Sequence, residues 1–369
     1  MMKMIFIAII ALFSSLSCQK MRNINENTES VRNSKLATDV SKLHMRLLGE
    51  NVFSMDDFIY HNHKIIGPVS YIGDTKGNFV EIDENDKKWK LKVVTTPKVE
   101  WFHIGAITVF NGELWFVFDY GTVVKSNLDA NDWKIVSQVQ IFSPRFISFA
   151  NSKIGYLVGD IFTHEEVGCE IFKTKDGGKT WNKVFRSGRT GNLSALQIVD
   201  ENKVLVAVND SYLLQTQDGG KTWRPQGFEY EIKNFDMIGA RNKTGANDIT
   251  CSPDGKYWVV GKNGNIHFSI DKGNSWKKPS ELPEFLDGET TLTSIAFSPE
   301  GKGIIVGYNG FMMITRDFGL NWEKVSDEIA NKVMLKNKTK ATSDDLIRVR
   351  FTKENFTILG SSGIYQISF

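Results

Sequence analysis

The octapeptide TKDGGKTW at residues 174–181 decides the reading, because it returns as TQDGGKTW at 216–223, SIDKGNSW at 269–276 and TRDFGLNW at 315–322. In every copy Ser or Thr stands two residues before Asp, Gly two after it and Trp five after it. One such octapeptide carries little weight, since Asp-x-Gly turns are common. Four at near-constant spacing define a repeat. Two weaker copies precede them, IDENDKKW ending at Trp89 and NLDANDW ending at Trp133, and the six Trp positions recur every 42 to 53 residues. That period is the span of one four-stranded propeller blade, about 40 to 50 residues.

Working outward, a hairpin pattern comes before the octapeptides: VFDYGTVVKS (117–126), VAVNDSYLLQT (206–216), VVGKNGNIHFS (259–269) and IIVGYNGFMMIT (304–315). Each is an apolar run, a turn and a second apolar run, which reads as strand, turn, strand. The octapeptide then falls in the next turn. Upstream runs such as WFHIGAITV, PRFISFA, NDITCSP and IRVRFT supply innermost strands. The last segment, NFTILGSSGIYQISF, ends without an octapeptide, so a segment between residues 37 and 60 is expected to give the missing outer strand and close the ring.

The octapeptides match the Asp box, and over residues 70–369 the chain resembles BNR/Asp-box repeat β-propellers, a group that includes sialidases, sortilin-type receptors and photosystem II stability/assembly factors. The resemblance implies an all-β fold: a single β-propeller at 42–369 with seven four-stranded blades rather than six or eight, and Asp-box turns between third and fourth strands. Asp176, Asp218, Asp271 and Asp317 should then bond turn amides, and Trp181, Trp223, Trp276 and Trp322 should pack between blades. Their role is structural, despite the look of a row of carboxylates.

On this topology the long links at 226–247, 278–291 and 324–345 share one face, opposite the Asp boxes, with the extended turn DIFTHEEVG at 160–168. Long loops on a rigid face are where binding resides. The starts of the inner strands ring the mouth on that face, and the partner-binding candidates are Trp101, His103, Arg145, Arg189, His164, Glu165 and Arg348, with Phe102, Asn192, Asp248, Thr291 and Arg350 beside them. His61 and His63 on one strand would point the same way, and His164 with Glu165 and Glu166 has ligand-type side chains, but no third partner is identifiable and no metal or other cofactor is expected.

Sialidases of this group use three Arg, an Asp and a Tyr–Glu pair. Here the early Arg-Ile-Pro motif is missing; Arg145 with Arg348 or Arg350 imitates only part of such a clamp, and no catalytic residue is assigned. No P-loop, nucleophile elbow, dinucleotide motif or HExxH is present. The resemblance to single-propeller assembly factors points instead to a non-enzymatic protein that binds a protein partner, with cell-surface glycan binding or a sialidase-like glycoside hydrolase as alternatives. Lys and Arg number 45 against 43 Asp and Glu, so no charge excess draws the chain to nucleic acid.

The N-terminus reads as a signal peptide at 1–17: Lys3, an apolar run from Met4 to Phe13, then SLSC. SLSC resembles the lipobox of bacterial lipoproteins, which implies lipidation of Cys18 and a place in the cell envelope, periplasmic or surface-exposed. Residues 18–41 are polar and read as a tether, so the membrane is met through the N-terminal lipid alone. Cys169 and Cys251 fall in different repeats and are expected to be buried thiols. Blade edges are paired in a closed ring, and a monomer is expected.

Overall fold

The computed structural model describes residues 44–50, 55, 57–61, 63–69, 77–83, 89–94, 103–162, 167–187, 192–208, 212–227, 245–280, 282, 286, 289–325, 344–361 and 363–368. The closing strand comes first in the chain, β1 (His44–Glu50). Blade I holds β2 (Ile59–His61), β3 (Lys64–Pro68), β4 (Asn78–Asp83) and β5 (Trp89–Val93). Blade II holds β6 (Ile104–Phe110), β7 (Glu113–Phe118), β8 (Thr122–Asn127) and β9 (Lys134–Gln138). Blade III holds β10 (Ser143–Phe149), β11 (Gly155–Phe162), β12 (Val167–Thr174) and β13 (Asn182–Ser187). Blade IV holds β14 (Leu193–Ile198), β15 (Val204–Val208), β16 (Tyr212–Thr216) and β17 (Arg224–Gln226). Blade V holds β18 (Asp248–Cys251), β19 (Tyr257–Val260) and β20 (Ile266–Ser269), and blade VI holds β21 (Leu292–Phe297), β22 (Gly303–Gly307), β23 (Met312–Thr315) and β24 (Glu323–Lys324). Blade VII holds β25 (Leu346–Thr352), β26 (Asn355–Gly360) and β27 (Gly363–Ser368), completed by β1.

The expected seven-bladed ring is thus formed, and the closing segment is found where it was sought, with His44 opposite Ser368 and Glu50 opposite Gly363. Blade V departs from the four-stranded pattern, its outer position holding a single bridge, Phe268 to Lys277. Continuing that antiparallel register would set Pro279 opposite Ile266. Proline has no N–H to donate, so the strand stops.

Seven apolar clusters fill the seven junctions between blades. One joins Ile66 and Phe79 of blade I to Phe116 of blade II, another Tyr156 of blade III to Val206 of blade IV, and a third seals the ring with Val80 and Ile82 against Leu359 and Ile364. Second strands such as β11, β15 and β22 are buried on both faces because each blade is packed on both sides, whereas outer strands such as β9 and β13 are exposed or half-buried. Cys169 on β12 is buried, whereas Cys251 at the end of β18 is half-buried, so the expectation of two buried thiols is corrected.

The Asp boxes lie between third and fourth strands and hold those turns. Thr174 Oγ1 donates to Asp176 Oδ1 (2.8 Å) and accepts the Gly178 amide (2.9 Å), while Asp176 accepts the amide and hydroxyl of Thr180 (2.9 and 2.6 Å). The same bonds recur around Asp218 and Asp271, and around Asp317 with the Asn321 carboxamide donating in place of the hydroxyl. The two residues after each Asp have positive φ: both are Gly in two boxes, but the first is Lys272 or Phe318 in the others. Each box Trp packs back on the preceding blade, as Trp322 does on Trp258 at 5.9 Å and Trp223 on Tyr156 at 6.3 Å. The weak copy in blade II has Leu128 where Asp belongs, yet Ser126 Oγ accepts the Asp132 amide and Trp133 Nε1 donates to Ala130 O.

Candidate functional site: the mouth face

Inner strands begin on the face opposite the Asp boxes. Five of them, β6, β10, β14, β21 and β25, carry a register shift just inside their start. A bulge frees one residue from the ladder and re-aims its side chain, and here several of the freed residues stitch the ring together. Ser194 Oγ donates to Ala246 O of the next blade (2.7 Å) and Thr293 Oγ1 to Leu346 O (2.5 Å). Asn247, just before β18, donates to Leu292 O (2.8 Å). At Gly105 the next blade's Pro144 carbonyl approaches so closely that no Cβ fits.

Arg145 occupies the freed position of β10 and builds the first of two charged arcs. Its Nε lies 3.2 Å from Asp160 Oδ2, and Asp160 Oδ1 accepts the Leu193 amide of blade IV at 2.9 Å. Burial raises the Asp160 carboxyl above its usual range, opposed by that amide and by Arg145. Asp119, on the β7–β8 turn, is raised by burial too and held back by His103 and Arg145; its Oδ2 is 4.0 Å from His103 Nδ1. The arc therefore runs His103, Asp119, Arg145, Asp160 across blades II and III.

The second arc crosses the ring's closure. Arg350 bonds Asp57 at 3.0 Å, Arg348 Nε lies 3.7 Å from Asp57, and Arg348 NH1 lies 3.5 Å from Asp248. Ser294 donates to Asp248 Oδ2 (2.5 Å) and accepts the Val349 amide (3.1 Å), so blades V, VI, VII and I meet there. The Arg348 side chain is only 10% exposed, which makes it a brace within the ring. Arg350 and Arg145 are the more open cations, the latter 38% exposed.

Beside the first arc stands an aromatic pair that the sequence reading did not single out. Tyr120 and Phe142, 50% and 49% exposed, meet edge to face at 4.8 Å, and the Tyr120 amide bonds Phe142 O (2.9 Å). On the long β11–β12 hairpin Phe162 and Val167 pair opposite one another, both exposed. The turn signal Asp119-Tyr120-Gly121 was legible; its side chain's exposure depends on Tyr120 taking φ 62° at the tip.

Of the expected mouth residues, the structure brings His103 and Arg145 into one arc and Arg348 with Asp248 and Arg350 into the other. Trp101, Phe102, Arg189, His164, Glu165 and Glu166 lie outside the described residues, as do Cys18, the 1–17 segment and the 18–41 segment. His61 and His63 do not share a strand face, because His63 sits in the β2–β3 turn with φ 64°. Among the described residues no three His, Cys, Asp or Glu are placed to hold a metal ion, and no helix is long and apolar enough to cross a membrane. A Tyr–carboxylate pair does occur: Tyr365 OH donates to Asp344 Oδ2 at 2.6 Å, and Ser361 donates to Oδ1. Tyr365 is buried and its hydroxyl pushed well up by burial and by that carboxylate, the opposite of an activated nucleophile.

Residues 228–313 match the model of the Photosynthesis system II assembly factor YCF48. That stretch is under a quarter of the chain. No curated protein matches it. Among solved structures, YCF48 bound to D1 peptide superposes with a TM-score of 0.62 at 15% identity, covering 90% of this chain and 96% of that one. YCF48 from Cyanidioschyzon merolae gives 0.57 at 12%, covering 88% and 95%. The extracellular domain of a one component system from B. thetaiotaomicron gives 0.57 at 10%, covering 88% of this chain and 39% of that one. At such identities the likeness is one of fold. The chain is a BNR-type propeller resembling these assembly factors.

Proposed function

We propose that this chain is an envelope lipoprotein whose propeller binds a protein partner on the mouth face, over blades II and III. The observation that carries the reading is the half-exposed Tyr120–Phe142 pair held on a rigid ring beside Arg145. Large aromatic groups and Arg on a pre-organised support are the side chains that dominate contact energies. The solved YCF48 complex with a D1 peptide supports the mode, a propeller holding a protein segment. Anchoring through Cys18 is supported by Lys3, the apolar run and SLSC. The protein acts as a monomer, a rigid disc that presents one face.

Affinity capture from native envelopes, with the full chain as bait, tests this. A protein partner should be recovered with the unaltered chain and lost by roughly 100-fold with Tyr120→Asn/Phe142→Ser, in line with two truncated hot-spot aromatics. Asn suits the positive φ at 120. Equal recovery by both chains would remove the site from these residues, and binding to a glycan array in place of a protein would replace the partner class.

A further inference from the structure

The Asp-box face carries an apolar pair that neither turn formation nor packing explains. Second and sixth positions of neighbouring Asp boxes meet across a junction: between blades IV and V, Gln217 Nε2 donates to Asn274 Oδ1 at 3.1 Å. At the junction before, these positions are Lys175 and Lys221, which both bear electrostatically on Lys173. At the junction after, they are Ile270 and Leu320. These are 66% and 64% exposed, the two most exposed large apolar side chains among the described residues. Where the two preceding junctions place lysine or a carboxamide, the corresponding positions of blades V and VI hold aliphatic groups in solvent.

The direction of β1 supplies a second observation. Since His44 pairs with Ser368, at the far end of β27 from the mouth, the chain enters β1 on the Asp-box face at blade VII, next to blade VI. A random coil of the length from Cys18 to His44 would have a root-mean-square span of about 28 Å, so an anchor at Cys18 would hold this face within reach of the bilayer. Lys277 and Lys278 lie on the same blade as Ile270 and suit anionic headgroups, while Lys272 beside them lies 3.8 Å from Asp200.

We propose that Ile270 and Leu320 seat the Asp-box face of blades V and VI on a lipid surface, leaving the mouth face turned away from it. The proposal rests on the anchoring reading for the direction of the tether. The seat itself is testable without the anchor, using the full chain with Cys18→Ser and flotation on phosphatidylethanolamine/phosphatidylglycerol vesicles. The chain should float with the vesicles, and Ile270→Gln/Leu320→Asn should lower the partition roughly tenfold, as expected for two aliphatic groups part-buried at an interface. That variant should keep its melting temperature, because Gln217 and Asn274 fill the same positions one junction earlier. Equal partition of both chains, or no partition of either, overturns the seat. A dimer in sedimentation velocity that the double substitution dissolves, without vesicle binding, would assign the pair to a second copy and overturn it too. Mass analysis of residue 18 in the native chain reads the anchor separately.

Discussion

Gly255 and Gly319 have nearly the same backbone, φ +85° and +80°, in different company. A Cβ on Gly255 meets nothing within 4 Å, while one on Gly319 collides with the Trp258 ring of the preceding blade. Gly255→Ala should therefore cost only the left-handed penalty, about 1 kcal/mol, and Gly319→Ala that penalty plus overpacking, about 3 kcal/mol in all; urea unfolding of the two variants checks the difference. The Asp-box carboxylates give a second test at this scale. The Thr180 and Thr222 hydroxyls and amides hold Asp176 and Asp218 at about 2. A carboxyl depressed in the folded state stabilises it above its unfolded value, near pH 4, and that contribution is lost as pH falls toward about 2. Asp176→Asn/Asp218→Asn should flatten the fall of melting temperature across that window; an unchanged slope would mean the boxes are not held by ionised carboxylates.

Among the elements, the two arginines of β25 separate brace from surface. Arg348→Met leaves Asp57 and Asp248 without their shared buried cation and should cost about 3 to 5 kcal/mol. Arg350→Met removes a cation that is itself more than a third exposed and should cost under about 1 kcal/mol. Denaturant titrations of both variants measure this, and equal losses would contradict the assignment. The comparison also shows what could be read in advance. The Asp box was legible because its turn, acceptors and donors lie within eight consecutive residues, and the weak copy at Trp133 keeps its turn even with Leu128 for Asp. The mouth was legible only in part. Asp57, Asp248 and Arg348 are distant in sequence, and their meeting depends on bulges and ring closure that no local pattern encodes. The missing outer strand of blade V had a local cause, Pro279, whose effect appears only once Phe268 and Lys277 fix the register.

At the scale of the whole molecule, one ring of junction clusters supports two faces with different chemistry. The mouth face joins charged arcs to exposed aromatic groups, and the Asp-box face joins the entry of the chain to an aliphatic pair. On the proposed reading, a disc seated by one face and presenting the other would suit capture of a partner beside a membrane. The measurement that tests the binding claim most directly is hydrogen exchange of the full chain with and without its captured partner. Protection is predicted at His103, at Asp119–Gly121 and from Phe142 to Phe146, with the Asp-box turns unchanged. Protection confined to the Asp-box turns, with the mouth unaffected, would contradict the account.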